Sequence, residues 1–519
     1  MTFDTSDLIQ SSPLLFLTVA GLVLLLLDAF SRVRLIGSEH QKRMPAETGD
    51  VITVPLPDSR NYLMPLAVAS LLVALLLTAW QAPQVATAAH IYRDMLVVDR
   101  FGLLMSGVCI VGALLGLMGA PAYLRQHKMD FGEYYPLVLF TVVGMIILIQ
   151  ASDLVTVFLG VETMSLGAYV LTGSWRRSAR SSEAAMKYFL VGAFISGVLV
   201  YGIALIYGTT GTTSLLEIKR AVPRVANLPL FYLGCLLILV SFAFKVGAVP
   251  FHMWAPDTYE GAPTPVSGFM MSSVKAAGFA GLIRLCGSVL SAPEASTQQF
   301  TGWAHMMLIL SVLTMTLGNL GALRQDNIKR MLGYSSIAHA GYLLLGIVAL
   351  GWVGDEARGP LAYYLLAYTI TTVGSMGVVA WLSGTESGEE RVRLEDWAGI
   401  GIKEPAAGLA MTLFLLSLGG FPPTAGFFGK LYLFRVALSK PELLPLVLIA
   451  IANSLVSVFY YLRVITTMYF RPAPAKSTLV AFRSPAGSLA VLIAALLVLG
   501  FGLLPEWLSN LCASATMGG

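Results

Sequence analysis

An all-α, polytopic membrane fold is what this sequence predicts, from its composition, the lengths of its apolar runs and an internal repeat. Of its 519 residues 56% are hydrophobic and only 12% charged, and the mean hydropathy is +0.76. Soluble proteins carry about 25% charged residues. With half the usual polar cover, a cytosolic enzyme, a disordered chain and a nucleic-acid binder are all excluded. The content of 50 Gly and 25 Pro suits membrane helices. The net charge of +4 is scattered and forms no basic stripe. Cys109, Cys235, Cys286 and Cys512 include no Cys-x-x-Cys pair, so they read as small buried side chains rather than as a metal, cluster or disulfide framework.

A bilayer core takes about 20 apolar residues per helix, and the runs between charged or Pro/Gly-rich breaks give fourteen expected spans. The first, near 13–30, follows an acidic N-terminus without the positive charge of a signal peptide, so it is expected to be retained. A polar stretch at 31–61 is expected to be a loop leading to the second span, near 62–80. A third, near 101–119, completes an N-terminal part of residues 1–120. Runs near 137–149, 154–172, 188–208, 231–249 and 265–289 form a first five-helix unit within 137–290. Those near 303–320, 328–350, 361–382, 406–434 and 443–462 form a second within 302–470. The last, near 485–505, belongs to a C-terminal part of 484–519. With the N-terminus outside, 21 of the 33 Lys and Arg fall in inside loops, 8 outside and 4 within spans. Both termini are therefore expected to face outward.

The repeat is legible in one chain. Asp153, Leu159, Gly160, Tyr169, Leu171 and Gly173 recur 173 residues later as Asp326, Leu332, Gly333, Tyr342, Leu344 and Gly346. Gly247 and Pro250 recur at the same offset as Gly420 and Pro423. An offset of five helices is odd, so the second copy lies inverted. Inverted repeats with Gly/Pro-interrupted helices point to a working site at the interruptions. Breaks are expected at Gly247 and Pro250 in the seventh span and at Pro422–Pro423 in the twelfth.

Charges inside spans are costly, at roughly 2.5–3.5 kcal/mol each at mid-helix, and usually functional. Glu162 sits mid-way along the fifth span, Lys245 five residues before Pro250, Lys275 near the centre of the eighth, and Lys430 after the double proline. His339 lies in the middle of the tenth, where it is either a packing residue or a proton relay. His252 reads as structural or gating. Arg284 is near enough to a helix end to snorkel. Glu162 and Lys245 could be a structural ion pair, but such a pair often fails to beat a hydrophobic replacement. Burial disfavours charged lysine and a nearby carboxylate favours it. Moving Glu162 relative to Lys245 would therefore switch the lysine between holding and releasing a proton, and a row of such lysines is a proton wire.

The stretches SARSSEAAMKYFLVGAFISGVLVYG, KVGAVPFHMWAPDTYEGAPTPVSGFM, NIKRMLGYSSIAHAGYLLLG and LGGFPPTAGFFGKLYLF resemble the antiporter-like membrane subunits of respiratory complex I, the proton-translocating NADH:quinone oxidoreductase. Within that family the sequence looks like the N-type branch, because the Tyr-Glu-Gly-Ala-Pro step usually differs in M- and L-type subunits. The resemblance implies that Glu162, Lys245, Lys275 and Lys430 are the family's proton-carrying residues; His339 joins them as a candidate on its position alone. It implies no cofactor in this chain, with NADH, FMN, iron–sulfur clusters and quinone in other subunits. It implies M-like and K-like neighbours, the lateral helix of an L-like subunit, lipid and protons as partners, and a bacterial inner membrane with both termini periplasmic. A subunit of a cation/proton antiporter complex or membrane-bound hydrogenase, and a non-conducting scaffold, are the rival readings.

Overall fold

Short polar residues set where the helices begin. Asp99 accepts from the Gly102 N–H, Asp153 from Val155, Ser178 from Ser181, Asn227 from Leu230, and Asn327 from Lys329 and Arg330. Each satisfies a donor that the first helical turn leaves unpaired. The computed structural model describes residues 5–42, 62–85, 87–129, 131–288, 302–384, 390–472, 484–515 and 517.

In chain order the N-terminal part holds α1 (Thr5–Gln10), α2 (Ser12–Lys42), α3 (Leu63–Gln81), the hairpin β1 (Ala89–Ile91) and β2 (Leu96–Val98), and α4 (Arg100–Gln126). Then come α5 (Tyr134–Gln150), α6 (Leu154–Thr172), α7 (Ala179–Thr210), α8 (Leu215–Ala221), α9 (Leu228–Val246), α10 (Trp254–Gly261), α11 (Thr264–Phe269) and α12 (Lys275–Ser288). A π-helical turn at Met270–Val274 joins α11 to α12. The next group is α13 (Gly302–Leu323), α14 (Ile328–Val353), α15 (Arg358–Leu382), α16 (Ile400–Lys403), α17 (Pro405–Gly419), α18 (Ala425–Ala437) and α19 (Leu444–Phe470). The chain ends in α20 (Pro485–Leu503) and α21 (Pro505–Ala513).

By length and hydropathy the described helices supply eleven membrane spans, or twelve if the bent pair Leu394–Lys403 and Pro405–Gly419 is one span, where the sequence suggests fourteen. Three features account for the difference. The run near 137–149 lies on α5, an apolar helix whose 17 residues stand at the short end of the range that spans a bilayer. The runs near 328–350 and 361–382 fall on two helices, α14 and α15, which the 3-10 turn at Gly354–Ala357 separates within the apolar stretch Ile328–Leu382, too long at 55 residues to cross a bilayer once. The run near 406–434 is divided into α17 and α18. A further difference concerns the segment 31–61, expected as loop: α2 continues through it to Lys42, and residues 43–61 lie outside the described residues. The small antiparallel hairpin, with Ile91 opposite Leu96, has no counterpart in the sequence reading.

The core is a central set of helices wrapped by more exposed ones. The stretch 264–286 is buried throughout, whereas α2, α7, α19 and α20 turn most of their apolar surface outward. Glycines let the inner helices approach backbone to backbone. A Cβ on Gly144 of α5 would stand 2.3 Å from the Met164 backbone of α6, and one on Gly341 of α14 would stand 2.3 Å from Met315 of α13. Without a hydrophobic drive between helices in lipid, such close packing is what holds them together.

Candidate functional site

Two helix interruptions frame the buried charges. Gly247 ends α9 in the left-handed region (φ +74°) and Gly420 ends α17 in the same way (φ +85°). Only glycine adopts this conformation routinely, and its N–H caps the last carbonyls of the helix. Pro250 lies between α9 and α10, and Pro422 and Pro423 lie between α17 and α18. Lys245 stands in the last turn before the first break. Lys430 reaches back from α18, donating to the Leu418 and Gly419 carbonyls at 3.0 and 3.1 Å and to Ser454 Oγ at 2.9 Å. These carbonyls are among those the end of α17 leaves without an intrahelical partner.

Each half of the chain sets one lysine beside the same repeated tyrosine. Lys245 Nζ lies 5.7 Å from the Tyr169 ring centre, and Lys430 Nζ lies 5.1 Å from that of Tyr342. Ring faces carry negative potential that favours a nearby cation. Lys245 also donates to Ser165 Oγ at 2.6 Å. Ser165 is one turn along α6 from Glu162, whose carboxylate accepts from Ser196 of α7. Among the described residues no direct ion pair joins Glu162 to Lys245, although the sequence suggests contact or a one-water separation. A cavity with about 10 Å³ of room for a water's centre is lined by Ser196, Ser241 and Lys245, which is about one water's worth.

From Lys245 the polar row continues inward. A Cβ on Gly278 would lie 3.6 Å from Lys245 Cγ, so the lysine stem packs on α12 one turn from Lys275. Lys275 donates to the Ser336 carbonyl at 2.7 Å and to the Ser336 hydroxyl. Its Nζ is 5.9 Å from the Tyr368 ring, which is 5.1 Å from the His339 ring. His339 is held from both sides, with Tyr364 Oη at 2.7 Å from Nδ1 and Tyr461 Oη at 3.2 Å from Nε2. Its ring is 5.7 Å from Tyr342, the ring on which Lys430 rests. Lys245, Lys275, His339 and Lys430 are all buried. Glu162 is half-buried, flanked on α6 by the exposed Leu159 and Leu166.

Other charges sort differently. Arg284 does not snorkel: it is buried, and its guanidinium holds the Asp99 carboxylate through two bonds of 2.9 Å while Nε donates to the Ile149 carbonyl. Burial of both partners makes pairing cheaper than reaching for the surface. Sequence reasoning missed Asp99 because it precedes an apolar run and reads as loop. Lys329 is also buried and paired, at 2.9 Å from Glu390, which further accepts from Tyr123 and Thr264. His252 is half-buried and its ring lies beside the Pro250 backbone, and among the described residues its Nδ1 makes no hydrogen bond. The serines at 165, 196, 336 and 454 were missed as well. Ser165 carries the one available signal, its i,i+3 spacing from Glu162.

Comparison with known proteins places this geometry. A family described as NADH:quinone oxidoreductase/Mrp antiporter, TM matches residues 151–457. The chain is 44% identical to NADH-quinone oxidoreductase subunit N 1 of Sorangium cellulosum, covering 96% of each sequence. A chain in the structure of respiratory complex I from Thermus thermophilus with bound aureothin is 31% identical, with a TM-score of 0.78 and coverage of 97% of this chain and 100% of that one. A chain of the Mrp complex from a Dietzia species shares the fold alone, at 21% identity and a TM-score of 0.78, over 99% of this chain and 97% of that one.

Proposed function

The chain belongs to the family of NADH-quinone oxidoreductase N subunits, and on that premise we propose that it is a proton-translocating, antiporter-like membrane subunit of such a complex. The observation that carries this reading is a contrast between two sets of buried cations. Arg284 and Lys329 each hold a carboxylate. Lys245, Lys275 and Lys430 donate to serine hydroxyls and backbone carbonyls instead. A carboxylate in contact fixes the proton on its lysine, whereas neutral acceptors leave the lysine able to give it up.

In this account protons pass from Lys245 to Lys275, then through His339 to Lys430, and Glu162 governs the first step. Approach of Glu162 favours charged Lys245, and its withdrawal releases the proton. The Tyr368 hydroxyl, buried between Lys275 and His339 and beside Ser336 and Thr372, is placed to join a hydrated path. Glu162, half-buried beside apolar residues that face outward, needs a neighbouring subunit to cover it. M-like and K-like subunits and the lateral helix of an L-like subunit are the partners that the family resemblance implies. NADH, FMN, iron–sulfur clusters and quinone then reside in other subunits, and this chain couples to their redox chemistry mechanically. The location is the bacterial inner membrane, with both termini on the periplasmic side. Lys275→Ala and Lys430→Ala are expected to lower proton pumping by the reconstituted complex while the subunit still assembles. Unchanged pumping in both variants would make the chain a scaffold.

A further inference from the structure

A crevice of about 670 Å³ opens between α3, α4, α15, α20 and α21, away from the row of buried lysines. Its wall is almost wholly apolar, with Leu75, Leu104, Val108, Leu366 and Leu497 among the lining residues. One charged residue lines it, Arg100, the exposed first residue of α4. The adjacent carboxylate, Asp99, turns the other way onto Arg284. Arg100 donates Nε to the Val85 carbonyl at 3.0 Å, and no ion pair engages it among the described residues. The mouth lies at the depth of two exposed indoles. Trp80 precedes Ala82 and Pro83, which line the crevice, and Trp507 stacks on Phe501, which lines it too. Tryptophans mark the level of lipid headgroups. The crevice thus runs from headgroup depth into the hydrocarbon, with one cation at its opening.

We propose that this crevice holds an acyl chain of an anionic phospholipid from the surrounding bilayer, with the lipid phosphate on Arg100. A helix is a poorer occupant. At about 10 Å across, it would fill this volume in roughly a turn and a half, far short of the ~30 Å that a span requires. A flexible chain follows such a crevice, and the lone guanidinium selects the anionic headgroup.

The test uses the purified whole complex and phosphatidylglycerol carrying a photoreactive group on its acyl tail. Adducts are expected on lining residues of α4 and α20. Unlabelled phosphatidylglycerol should displace them about fivefold better than phosphatidylcholine, the effect of one basic residue near an anionic lipid surface. Arg100→Gln should remove that preference. Gly107 lines the crevice with only Leu75 near its would-be Cβ, at 3.9 Å, so Gly107→Phe should fill the space and abolish the adducts. Absence of wild-type adducts on these residues, or equal displacement by the two lipids, would overturn the proposal. Should Gly107→Phe fail to assemble, the wild-type and Arg100→Gln arms still decide it.

Discussion

Whether a buried cation has a carboxylate partner separates the two kinds of charged residue here. Arg284 and Asp99, each almost fully enclosed and joined by two hydrogen bonds of 2.9 Å, form a structural pair. Removing one partner leaves an uncompensated charge, which costs about 3–5 kcal/mol. Arg284→Ala should accordingly lower the amount of subunit recovered in membranes and its thermal stability. The double variant Arg284→Met, Asp99→Leu should restore most of both, because well-packed apolar replacements often match a buried pair. Equal loss in the single and double variants would show that the two residues do not act as a pair. The lysines were legible in the sequence because charge in an apolar run is conspicuous. Their acceptors were not, because Ser165, Ser336 and Ser454 sit in apolar runs where serine is common. Arg284 was misread because proximity to a helix end suggested snorkelling, while its partner lay 185 residues away.

Paired helices depend on glycine at the places where backbones touch. A Cβ on Gly318 of α13 would stand 2.5 Å from the Ala338 nitrogen of α14, and one on Gly160 of α6 would stand 2.5 Å from the Leu148 nitrogen of α5. Backbone cannot yield as a side chain can, so Gly318→Ala should cost about 1–3 kcal/mol and reduce thermal stability of the complex. Gly197→Ala is the control, since nothing lies within 4 Å of the added atom, and it should be neutral in the same measurement. Gly420→Ala meets a different obstacle, a φ of +85°, which costs a residue with a Cβ about 1–2 kcal/mol in the turn that faces Lys430. Most helices were legible as apolar runs of bilayer length. The division of Ile328–Leu382 was legible too, since the runs near 328–350 and 361–382 fall on α14 and α15; the 3-10 turn between them was not, because a four-residue turn leaves no apolar pattern of its own.

At the scale of the molecule, ionic contacts link the two halves beside the first break. Asp257 of α10 receives Lys187 of α7 at 3.0 Å and Arg330 of α14 at 2.6 Å, and Arg330 also reaches Glu260 at 2.9 Å. Burial alone would raise the Asp257 carboxyl, but hydrogen bonds from Lys187 and Arg330, with their charges, hold it below its ordinary value. Its contribution is therefore complete above the unfolded pKa near 3.9 and is lost as pH falls through the lower folded value. Because the group is about a third exposed, the loss should be under ~1 kcal/mol. Asp257→Asn should lose that contribution at neutral pH, leave stability below the folded pKa almost unchanged, and so flatten the acid side of a thermal-stability profile of the complex; an unaltered acid limb would contradict the assignment. These links tie together the two halves through which the proposed proton row runs. Lys245 stands where Glu162, the first break and that row meet, so it is the residue that tests the account most directly. Purified complex in proteoliposomes, with subunit content checked on native gels, yields proton pumping and NADH:quinone turnover from one preparation. Lys245→Ala removes the titratable group and Lys245→Arg keeps the charge without releasing a proton at accessible pH. The account predicts that both variants assemble and that both lose pumping and quinone reduction together; Lys245→Arg pumping at the wild-type rate would contradict it.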